Sequence, residues 1–251
     1  MREPLELRAW RGTRAEIAFV ERLRAWPALD EAGRRYAAFA HWSTCWFQRA
    51  ALDVYLELLQ EEIPPEIIGS DAGGVSFSAL EQKMWSFLQL AKAALDAVAR
   101  EINFVYWHVD ARRRLFDPMG RVRWVTFYTV RERLLGVEDF RGDPLVRLLE
   151  ARTRAETADP IYRDLSDLAA ASLTAPRLIG RVERADPKRA GASLRAGDAR
   201  IFIPDDPRRW PPTYECGFEM NALFPAILRW LEHFTDEVYD KLDLLVRGEG
   251  R

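Results

Sequence analysis

Apolar residues recur along this chain in steps of three and four, and only short stretches alternate, so the spacing predicts helices over most of its length. The longest stripe runs through Met84, Leu88, Ala91, Leu95, Val98, Ile102 and Val105 and predicts one helix from Ser78 to about Val109. Ser78 and Glu81 read as a capping box at its start, the hydroxyl and carboxylate each meeting an orphan amide. A second long helix is predicted from Asp30 to about Ile63, with Tyr36, Phe39, Trp42, Trp46, Leu52, Tyr55, Leu56 and Leu59 among polar residues, until Pro64 and Pro65 forbid continuation. The glycine-bearing connection at 66–75 is short enough for these two helices to lie antiparallel.

Shorter helices follow the same signals. Thr13 and Glu16 form another capping box before Ile17, Val20 and Leu23, and Pro27 closes that segment. A helix is predicted to begin near Thr126, and Asp143–Pro144 and Asp159–Pro160 each set a capping residue before a proline suited to the first helical position. The last helix, from about Phe218 to Val246, carries Leu223, Ile227, Leu228, Leu231, Phe234, Val238 and Leu242, with an early kink at Pro225. Between 176 and 212 the composition changes. Gly, Pro and Asp punctuate two extended candidates, 178–183 and 199–203, which predict a hairpin or an arm. The expected fold is all-α: an antiparallel bundle of long helices with a small β-hairpin or extended arm, in one domain spanning 1–251, with 176–212 an extended, basic insertion.

With 251 residues the chain can bury a substantial core. A net charge of -2 and a pI near 6.0 argue against a wholly basic nucleic-acid coat protein, and 30% charged residues accompany enough apolar ones to argue against disorder. The start of the chain lacks the apolar core of a signal peptide. The longest uncharged run, 36–48, is too short to span a bilayer, so a cytoplasmic protein without a membrane segment is expected. Cys45 and Cys216 provide neither a disulfide framework nor a zinc set.

Candidate chemistry is sparse. His41 with Cys45 and His233 with Glu237 stand four apart on helix faces, but neither pair has a visible third ligand, so no metal is expected. His41, His108 and His233 fall on separate helices and no Gly-x-Ser-x-Gly elbow occurs, which leaves no nucleophile–base pair to name. Gly69, Gly73 and Gly74 lack the lysine and preceding strand of a phosphate loop and read as a linker. Segment 177–209 holds nine basic residues against five acids, with Phe202 inside it and Trp210 beside it, a composition able to clamp a phosphate backbone.

Taken together, ALEQKMWSFLQLAKAALDAVAREINFVYW, DPIYRDLSDLAAASLTAPRLIG and the closing FTDEVYDKL resemble prokaryotic proteins of the HEPN superfamily. The resemblance covers about residues 30–246 as an order of elements. It implies a helical bundle that forms a homodimer and, in active members, a metal-independent ribonuclease with an Arg followed four to six residues later by a His. Arg163, with Asp164 beside it, stands at the Arg position, but the His position falls on Leu168, Ala169 or Ala170, none of which exchanges protons. Arg35 and His41 meet the bare spacing in an earlier helix. The resemblance therefore implies a catalytically silent protein, with no catalytic residues and no cofactor, that associates with itself, a partner protein or RNA in a prokaryotic toxin–antitoxin or defence module. The alternative it carries is an endoribonuclease effector using Arg163 or the Arg35/His41 pair. Candidate RNA or phosphate contacts are Arg163, Asp164, Arg177, Arg181, Arg208 and Arg209.

Overall fold

Helix ends fall where capping groups or prolines place them. The computed structural model describes residues 12–69, 78–109, 115–118, 125–154, 158–172, 178–185, 194–206, 213–214 and 218–248. Among these the elements run α1 (Arg14–Ala25), α2 (Glu31–Leu59), β1 (Glu62–Ile63), α3 (Ser78–Val109), α4 (Phe127–Gly136), α5 (Pro144–Thr153), α6 (Pro160–Ala171), β2 (Arg181–Arg184), β3 (Leu194–Arg195), β4 (Ala199–Phe202) and α7 (Met220–Arg247). The fold is all-α with a small β insertion.

The expected hairpin is present as β2 paired antiparallel with β4, Arg181 opposite Phe202 and Arg184 opposite Ala199. A second pair, β1 with β3, sets Ile63 opposite Leu194. It shortens α2, which stops at Leu59 instead of near Ile63. Pro64 pushes the residue before it into extended backbone, and there Ile63 is buried and its strand finds a partner.

The chain divides into two compact units: Met1–Gln48, Ala93–Asp159 and Leu231–Arg251 form unit 1, and Arg49–Lys92 with Pro160–Trp230 form unit 2. Since α2, α3 and α7 each contribute to both, no single linker separates the units.

Unit 1 is built on α1, α4, α5 and parts of the three long helices. Its core packs Phe19 on Tyr239 at 5.1 Å and Tyr36 on Phe104 at 5.2 Å, with Phe127 edge-on to Phe234. Polar groups position its irregular segments. Asp96 accepts the Phe127 amide at 2.8 Å, so α3 supplies a cap to α4 in addition to Thr126. Buried Asn103 pairs with both backbone groups of Phe116 at 3.0 Å and holds that turn on α3. Asp143 precedes Pro144 as expected, but its side chain makes no cap bond and accepts instead from the Tyr106 hydroxyl at 3.1 Å.

In unit 2 the rings of Phe87 and Phe224 stack at 4.2 Å, with Tyr55 tilted against Phe87. Val182 and Ile201 of the hairpin are fully buried. Glu81, expected in a capping box, receives the amides of Leu178 and Ile179 at 3.0 and 3.4 Å, tying the approach to β2 to the start of α3. The side chain of Ser78, its expected partner, lies outside the described residues.

Candidate functional site

In unit 1, four helices bring polar side chains together in the core. Glu16 from α1, His41, Thr44 and Cys45 from α2, Glu101 from α3 and Tyr239 from α7 are all buried, Glu16 at 0% and His41 at 1% exposure. His41 is at the centre. Its Nε2 lies 3.2 Å from Glu16 Oε1 and 3.8 Å from Cys45 Sγ, and the Cys45 thiol donates to the same Glu16 oxygen at 3.6 Å. On the other edge of the ring, Nδ1 lies 3.2 Å from Glu101 Oε2 and 3.2 Å from the Tyr239 hydroxyl. Tyr239 donates to Glu101 Oε1 at 3.0 Å, and Thr44 donates to that oxygen as well.

Local sequence explains half of this. His41 and Cys45 stand four apart and so share a face of α2. Thr13 caps α1 by accepting the Glu16 amide at 3.2 Å, as expected, but Glu16 Oε1 turns inward to His41 and Cys45. The spacing of His41 and Cys45 shows two possible ligands; the third arrives from another helix, which no local pattern announces. Glu16 Oε1, His41 Nε2 and Cys45 Sγ are the kinds of donor that divalent transition metals take.

The same contacts set the charges. Burial alone would lower the His41 pKa, but the Glu101 charge and the bonds to Cys45, Glu101 and Glu16 outweigh it, and the group is pushed up to about 12. Burial pushes the Cys45 thiol up, with the bond to His41 and its charge acting in the opposite direction. Without a metal, therefore, His41 holds its extra proton between Glu16 and Glu101, beside a protonated Cys45 thiol.

The ribonuclease alternative names Arg163 and the Arg35/His41 pair. Arg35 keeps 65% of its side chain exposed and pairs with Glu31, whereas His41 faces the core, because six positions along a helix separate two faces. In unit 2, Arg163 and Asp164 line a cleft of about 430 Å³ together with Asp167, Asp205 and Asp206, and buried Leu168 contributes to its wall at the expected histidine position. That lining sets four aspartates beside the one arginine it contains among the described residues. Arg181 lies outside that lining; it pairs with Glu183 at 3.0 Å and covers the Phe202 ring at 4.6 Å. Arg177, Arg208, Arg209, Cys216 and Trp210 lie outside the described residues. His233 is exposed, and its neighbour Glu237 is held by Arg152 at 2.6 Å. No helix among the described residues is long and apolar enough to cross a membrane. No family model matches the chain, and neither a curated protein nor a solved structure matches it.

Proposed function

We propose that this chain acts as a catalytically silent HEPN-like protein, by association with a second copy of itself and without cleaving RNA. The observation that carries the reading is an aromatic row on α2: Phe39, Trp42 and Trp46 repeat on one helix face, with ring centroids 6.5 and 6.1 Å apart. Phe39 and Trp46 remain 43% and 47% exposed. Aromatic residues are enriched at the desolvated centres of protein interfaces. A two-fold axis sets the same patch of two copies against each other, and the family resemblance implies the same stoichiometry. The burial of His41 away from Arg35, and buried Leu168 where the resemblance expects a histidine after Arg163, support silence toward RNA.

Light scattering at micromolar concentration tests the association. A dimer is expected, with Trp46→Lys monomeric and equally helical by circular dichroism; a monomeric wild type overturns the reading. Total RNA incubated with the protein in chelator should stay intact. Cleavage that disappears in Arg163→Ala or His41→Ala would establish the ribonuclease alternative instead.

A further inference from the structure

We propose that Glu16, His41 and Cys45 bind one divalent transition-metal ion, with zinc the best fit, at a buried centre that joins α1 to α2. Zinc bonds of about 2.0 Å to nitrogen and oxygen and about 2.3 Å to sulfur, at tetrahedral angles, require ligand separations of about 3.3 Å for nitrogen to oxygen and about 3.5 Å from sulfur to either. The separations here are 3.2 Å between His41 Nε2 and Glu16 Oε1, 3.6 Å between Cys45 Sγ and Glu16 Oε1, and 3.8 Å between Cys45 Sγ and His41 Nε2. The three edges therefore approximate one face of a zinc tetrahedron before any ion is placed.

The far edge of the imidazole carries the support expected of a metal-bound histidine. Nδ1 faces Glu101, and Glu101 accepts in turn from Tyr239 and Thr44. A carboxylate in that place fixes the ring and the tautomer that leaves Nε2 to the metal. Binding places the ion between Nε2, Sγ and Oε1, and the protons on Nε2 and Sγ leave to solvent. The thiolate and the Glu16 carboxylate then balance the two positive charges. Because Glu16 belongs to α1 and His41 and Cys45 to α2, the ion holds α1 on α2 from within the core.

The test uses the full, untagged chain. After chelation and equilibrium dialysis against micromolar zinc, one ion per chain should be retained and the thermal midpoint should rise with free zinc. Cobalt in place of zinc should give a near-ultraviolet thiolate-to-metal band. This reads sulfur ligation in the wild-type protein and does not depend on any variant folding. The band should vanish in Cys45→Ser and persist in Cys216→Ser. Glu101→Gln should keep one site per chain and weaken it by about 10- to 100-fold, the usual effect of losing a partner behind a metal ligand. Absence of retained zinc, a midpoint indifferent to the ion, or a cobalt band that survives Cys45→Ser or is lost in Cys216→Ser would each overturn the proposal.

Discussion

Replacing Tyr239 by phenylalanine removes one hydroxyl from the centre of the polar cluster and leaves the ring that stacks on Phe19 at 5.1 Å. The hydroxyl donates to Glu101 Oε1 at 3.0 Å in a fully buried setting. A bond to a charged acceptor contributes about 1.5–3 kcal/mol. Glu101 keeps the Thr44 hydroxyl on the same oxygen and His41 on the other, so the carboxylate is not stranded. The loss should therefore fall in the lower half of that range, about 1.5–2 kcal/mol. For a chain of this length about 2–4 °C accompanies each kcal/mol, which predicts a midpoint lower by roughly 3–8 °C. Urea and thermal unfolding in chelator would measure both quantities. Thr44→Val shares the acceptor, so the double variant should depart from additivity by more than about 0.5 kcal/mol. A Tyr239→Phe protein within about 0.5 kcal/mol of wild type would refute the reasoning, because a surface-like change is all such a value allows.

In chelator, stability should fall as pH rises from 7 to 9. His41 has a folded pKa of about 12 against an ordinary 6.5, so its contribution is complete below about pH 6.5 and is lost toward the folded value, with a slope of up to about 1.4 kcal/mol per pH unit; a flat urea-melt profile over that window would contradict this. With zinc bound the sign reverses, because ligand protons compete with the ion. Glu81→Ala should destabilise the protein by about 2–4 kcal/mol, since the Leu178 and Ile179 amides lose their shared buried acceptor; unchanged chemical denaturation would show that those amides find another partner.

The elements most legible in the sequence are those whose information is local. The α3 stripe, the prolines that open α5 and α6, and the Thr126 cap of α4 all lie within a few residues of the ends they define. The β1–β3 pairing was illegible, because a two-residue strand has no periodicity and its partner lies more than a hundred positions away. Glu16 shows the same limit at the candidate site. Its spacing from Thr13 fits a helix start, and that part holds, yet the direction of its carboxylate is decided by His41 and Cys45 across a helix interface. Glu101 likewise lies beside an apolar stripe and gains its meaning only from α2 and α7. Convergence from four helices has no signature in any one of them.

Unit 1 takes its core from three separated stretches, the last beginning at Leu231. During synthesis, α1 and the first part of α2 leave the ribosome long before Phe234, Val238, Tyr239 and Leu242 are made, and those four are buried in the finished unit. His41 must wait through most of translation for the hydroxyl of Tyr239. The nascent chain therefore exposes an incomplete core and half a polar cluster, the condition in which holdase chaperones bind. Neither unit corresponds to a continuous stretch of coding sequence, so a fragment ending before α7 would lack part of both cores. Expressing such a fragment should yield aggregate instead of a smaller folded domain.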